Sequence, residues 1–169
     1  MSEPFYYDDF DDDGPTEWAD PAIRRNYEAA LGRLILAHNE VDRNLTVLIQ
    51  ACLKELGDPA SLKAMTNGNF ASRLSNLAAI KQLCPTFPLA GIDVNSLTAL
   101  NGERNVVAHG HFEQNPYDGD FVLIRAKQQF ENYSAERLDK ITEALGVQNR
   151  QMGAIIAFGF HPPVWTPPK

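Results

Sequence analysis

Basic charge is in short supply in this chain: 15 Lys and Arg stand against 22 Asp and Glu, a formal net charge of −7. A protein that wraps nucleic acid over a broad surface needs the reverse balance, because Lys and Arg make the phosphate contacts. Cysteine is scarcer still. Cys52 and Cys84 form no CxxC pair, and His38, His109, His111 and His161 show no HExxH or zinc-finger spacing, so neither a zinc site nor a disulfide framework is expected. No metal and no cofactor is anticipated, and a reducing cytoplasm is the expected compartment. Long apolar runs are missing as well: the longest near the C-terminus covers residues 154–158, far below the roughly 20 residues that span a bilayer. The N-terminus carries acids where a secretory signal has basic residues, and no apolar segment follows them. There is no Walker A lysine, GxGxxG turn or GxSxG elbow, which removes the common nucleotide cradles and the serine-hydrolase elbow.

What is present is one domain's worth of chain, 169 residues with 44% hydrophobic content. The acidity is local. Eight of the 22 acids precede Arg24, the first basic residue; beyond that point 15 basic residues face 14 acidic ones, a net of +1. Residues 1–19 therefore read as an acidic, aromatic leader, either solvated or docked on a basic groove or a partner, where it is a candidate phosphate mimic. Residues 20–159 read as the folded domain and 160–169 as a Pro-rich tail. Within the domain, Asp20-Pro21 opens a long amphipathic helix, broken at most once, whose apolar residues recur in steps of three and four to Leu56, stopped by Gly57 and Asp58-Pro59. A short helical stretch from Ser61, a helix through residues 70–83, and a third helix from an Asp93 cap to His109 follow, the last with Gly110 just past its end. Residues 111–114 and 121–128 flank a turn-rich hexapeptide and predict a β-hairpin; Ser134 then caps a last long helix that ends near Gly159. The expected fold is mostly α, an antiparallel bundle of four to five helices with a small β-hairpin inserted before the last long helix.

The third helix carries the chemistry. Leu97, Leu100, Val107 and Ala108 share one face on a helical wheel, and Arg104 points into it. A guanidinium cannot give up its charge, so that position requires a carboxylate, carbonyls or a phosphate. Asn101, Asn105 and His109 follow at four-residue steps along the edge of the same face. Arg holds phosphates bidentately, and His gives and takes protons near neutrality. From the residues alone, Arg104 as a structural ion pair and His109 as a helix-terminal histidine favoured by the macrodipole remain open beside the functional reading. His38 falls in the apolar stripe of the first helix, the pattern of a hydrogen-bonded core histidine.

The string Glu103-Arg104-Asn105-Val106-Val107-Ala108-His109-Gly110 resembles the signature of the HEPN superfamily (higher eukaryotes and prokaryotes nucleotide-binding): an Arg followed by a polar residue, then a His after four to six intervening positions. Its place at the end of a core helix, the hairpin directly after it, and the stretch Ala37-His38-Asn39-Glu40-Val41 in the opening helix extend the resemblance over roughly residues 20–158. The resemblance implies a cytoplasmic, metal-independent endoribonuclease of the toxin or defence type, a homodimer whose two Arg/His motifs build one composite site. It assigns proton transfer to His109, transition-state charge to Arg104, orientation to Asn105 and a supporting acid to Glu40. Asn101 and His111 join Arg104 as RNA contacts. It also implies a possible antitoxin partner such as a separately encoded nucleotidyltransferase. The alternative it allows is a non-catalytic module for dimerisation or for binding a partner or nucleotide.

Overall fold

Asp20 caps the first helix with its own carboxylate, which accepts from Ala22 N at 2.8 Å, and Pro21 fills the first helical position, where a missing N–H costs nothing. In the computed structural model, which describes residues 18–130 and 132–160, helix α1 then runs unbroken from Pro21 to Glu55. Its buried line is Tyr27, Ala30, Leu34, His38, Val41, Leu45, Leu48 and Cys52, spaced by three and four residues so that one stripe faces the core. Gly57 and Asp58 both take positive φ (83° and 52°), the left-handed turn that ends the helix.

A 3₁₀ turn (Ala60–Thr66) leads back to α2 (Phe70–Leu83), which Asn69 caps through Ser72 N at 2.9 Å. Helix α3 (Val94–His109) starts at Asp93, whose carboxylate accepts from Ser96 N, and α4 (Ala135–Ala154) starts at the Ser134 cap and closes in a π-helical turn (Ile155–Gly159). The pairings fix the directions. Arg33 meets Asp139 and Asn44 meets Asn149, so α1 and α4 run side by side in the same sense. His38 meets Asn101 while Tyr27 meets Phe112, and Gln148 meets Asp93 while Arg137 meets Glu103, so α3 runs against both. The antiparallel relation of the bundle is carried by α3.

The inserted β element has three strands: β1 (His111–Gln114), β2 (Phe121–Arg125) and β3 (Gln128–Phe130), antiparallel in that order. The sequence pattern predicts one strand over 121–128; the chain instead turns at Ala126 and Lys127, whose φ values of 50° and 67° have the sign a two-residue hairpin connection needs. Leu123 pairs with both Phe112 and Phe130 and is fully buried. Tyr27 stacks on Phe121 at 3.9 Å and meets Phe112 edge-on at 5.5 Å, which seats the sheet against the first turns of α1. Gly110 has an extended φ of −92°, so its absence of side chain serves packing: a Cβ there would lie 2.3 Å from Leu123 Cδ1 and 3.0 Å from Val106 O. This close approach places the end of α3 directly on the sheet.

The end of the leader is held on the β1–β2 turn, where Ala19 N donates to Pro116 O at 2.8 Å and Trp18 stacks on Tyr117. The acidic-aromatic segment before it and the Pro-rich tail from position 161 lie outside the described residues. Among the described residues no helix is long and apolar enough to cross a membrane.

Candidate functional site

Where α1, α2 and α3 meet, they leave a cleft of about 460 Å³, the size of a small-ligand site. Helix α3 contributes Asn101, Arg104, Asn105 and His109; α1 contributes His38 and Asp42; Arg73 comes from α2. Four of the sequence-derived site residues thus share one wall. Arg104 is half-buried on the cleft side of α3, not in the centre of the apolar face, and Ala108, read as part of that face, is exposed. The core contacts of α3 are made by Leu97, Leu100 and Val107.

Arg104 donates from Nη1 to Asn105 Oδ1 at 3.2 Å, and its Nε is enclosed with no acceptor. Among the described residues no carboxylate pairs with it. Glu103, its chain neighbour, faces the other way, accepting from Tyr133 Oη at 2.6 Å and from Arg137 Nη2 at 3.0 and 3.2 Å. The structural ion pair that the sequence left open for Arg104 is therefore absent among these residues. His109 is exposed at the end of α3, and its ring makes no hydrogen bond among the described residues.

His38 is the buried histidine of the set, 4% exposed. Its Nε2 lies 3.3 Å from Asn101 Oδ1, its Nδ1 has no partner, and its ring leans on Phe70. Burial, with the nearby Arg104 charge, pushes its pKa below the ordinary 6.5 against smaller opposing effects of Asn101 and Asp42. His38 is held as a neutral ring that positions Asn101.

Two sequence-derived residues lie elsewhere. Glu40 is exposed and accepts from Asn149 Nδ2 of α4 at 3.2 Å, outside the cleft; the acid that α1 supplies to the cleft is Asp42. His111 is exposed on β1, opposite Ile124, and does not line the cleft. The residue that sequence reasoning missed is Arg73. Its side chain, 13% exposed, donates from Nη1 to Thr46 Oγ1 at 2.6 Å and from Nη2 to Asp42 Oδ1. The signal was available: position 73 follows Phe70 by three and precedes Leu77 by four, the same intrusion of Arg into an apolar stripe that marks Arg104.

Among the described residues no three His, Cys, Asp or Glu converge in a way that could hold a metal ion. No family model, no curated protein and no solved structure matches the chain.

Proposed function

We propose that the chain is a metal-independent endoribonuclease of the HEPN type, acting as a homodimer. One observation carries this reading: Arg104 reaches an open cleft without a carboxylate partner, with Asn105 and Asn101 beside it and His109 just over one helical turn further on. A guanidinium left with open donors in a cleft fits an incoming phosphate. In the proposed reaction a histidine removes the proton of an RNA 2′-hydroxyl, whose oxygen attacks the adjacent phosphorus. Arg104 offsets the charge that gathers on the phosphoryl oxygens, and a protonated histidine delivers a proton to the departing 5′-oxygen. The products are a 2′,3′-cyclic phosphate and a free 5′-hydroxyl. This chemistry uses a base and an acid. Each cleft offers one exposed histidine, His109, since His38 is enclosed and His111 lies outside. The second proton carrier is then the His109 of a second copy, which is the argument for a composite dimeric site.

The test is cleavage of single-stranded RNA in EDTA, with product ends identified by mass spectrometry. Arg104→Ala and His109→Ala should each lower the rate by about 10²-fold or more while circular dichroism and Tm stay close to the wild type. Adding His109→Ala chains in excess to the wild type should lower its activity if the site is shared between chains, because a mixed dimer keeps only one of the two proton carriers. Undiminished cleavage by either single variant overturns the assignment, and a loss of Tm in Arg104→Ala with no cleavage by the wild type returns the residue to a structural role.

A further inference from the structure

Arg73 has no part in the chemistry above, yet it lines the same cleft as Arg104. We propose that Arg73 is a second phosphate-binding residue, and that Asp42 is its resident counter-ion, displaced when a phosphate oxyanion enters.

Donors, two of them guanidinium groups, predominate in the cleft. Three asparagines have their carbonyl oxygens occupied within the protein: Asn101 Oδ1 by His38, Asn105 Oδ1 by Arg104, and Asn69 Oδ1 by Ser72 N and Oγ. Among the described residues none of the three Nδ2 groups makes a hydrogen bond, so what these side chains have left to offer is N–H. Arg104 adds open guanidinium donors, and Arg73 adds an Nε that is enclosed and unsatisfied. The first residues of α2, Phe70 and Ala71, stand at the same cleft, where a helix start favours negative charge. Against this array stand one anionic acceptor, the Asp42 carboxylate, and neutral ones at the Asn39 amide and the histidine rings. A pocket rich in fixed donors and short of anionic acceptors selects a ligand that is all acceptor, and a phosphate group is that ligand.

The Arg73–Asp42 pair also differs from a structural tie elsewhere in the fold. Arg33 grips Asp139 through two donors, Nε and Nη2, each at 2.9 Å. Arg73 gives Asp42 a single nitrogen, leaves Nε without an acceptor, and its partner carboxylate is 35% exposed. A carboxylate a third exposed can turn to solvent as a phosphate takes its place on the buried guanidinium, which so never loses a partner, and a phosphate offers Arg73 the two-oxygen geometry Asp42 does not. The inference shares the cleft of the nuclease reading and not its chemistry, because a phosphate binds there whether or not a bond is cut.

The experiment uses the full chain with two probes: a fluorescent 2′-O-methyl oligouridylate, which cannot be cleaved through its own 2′-oxygen, followed by anisotropy, and inorganic phosphate, followed by Tm against chloride at equal ionic strength. Arg73→Gln should weaken the bound probe by roughly tenfold or more, the loss of one charge-assisted contact. Asp42→Asn should tighten it, since it removes the competing carboxylate. Both variants break the same tie between α1 and α2, so both should lower Tm. Opposite effects on binding with like effects on stability are the signature. Binding of the oligonucleotide alone assigns the cradle to a nucleic-acid backbone; binding of both probes assigns it to phosphate in general. Binding of neither probe, unchanged affinity in Arg73→Gln, or weaker binding in Asp42→Asn overturns the proposal, and if Arg73→Gln does not fold, the sign of Asp42→Asn decides. A wild type that binds the probe without cleaving RNA leaves this inference standing and removes the nuclease.

Discussion

His38 is enclosed beside the Arg104 charge, with one ring nitrogen on Asn101 and the other on nothing. A second proton would place an unpartnered N–H next to a guanidinium, which is why the folded state resists it. The sign of the pH effect follows. The unfolded chain protonates this ring as pH falls through about 6.5, the folded chain only at lower pH, so protons favour unfolding. Stability from this group is full above that range, declines as pH drops through it, and levels off once the folded ring titrates. His38→Gln, which keeps a donor for Asn101 and removes the titration, should flatten the fall in Tm between about pH 7 and pH 5; parallel curves for variant and wild type would place the dependence on other groups. At this scale the sequence spoke through anomalies. Arg104 was readable because the sequence pattern set a charge that cannot be neutralised among apolar positions, although the structure turns it to the cleft side of α3. Arg73 carries a similar mark, between Phe70 and Leu77 of α2. Asp42 could not be chosen over Glu40, because two residues along α1 turn the side chain by about 200° and only the position of α2 decides which side is the cleft.

The helices were readable element by element. Asp20-Pro21, Asp93 and Ser134 cap as their chemistry demands, and the apolar spacing of α1 holds without a break for its whole length. The third strand was not, because its signal is a turn at Ala126-Lys127 made by residues that seldom adopt positive φ. Gly110 shows the reverse case: the glycine was readable but its reason was not, since it answers to Leu123, which arrives from another element. Gly110→Ala should cost about 1–3 kcal/mol, the penalty of overpacking a site bounded by backbone on two sides, measured by urea denaturation. A loss below about 0.5 kcal/mol would mean that Leu123 moves aside at little cost. Because His109 directly precedes this contact, the same substitution should reduce activity more than its effect on stability predicts.

For the whole molecule, the split of charge into −8 before Arg24 and +1 after it limits how RNA would be held under the proposed function. With Arg73 and Arg104 as the cleft's cations, binding of a non-cleavable single strand should depend weakly on salt: a slope of log K against log salt of roughly −1 to −2 for two phosphate contacts. A slope steeper than about −4 would reveal a broader basic surface. The bundle itself was readable as mostly helical with a β insertion before the last helix, since periodicity and caps are local. The direction of each helix was not local information. It depends on pairings such as Arg33 with Asp139, 106 residues apart.

That pairing also sets an order of events during synthesis. Every residue of the cleft lies at or before His109, while α4, which covers the long stripe of α1 with Leu138, Leu145 and Met152, begins only at Ala135. All the cleft residues are therefore synthesised before the helix that packs along α1. Domains fold as units, and contacts between distant segments form late. One wall of the cleft, α1, thus gains its packing against α4 only after every residue of the site has been made.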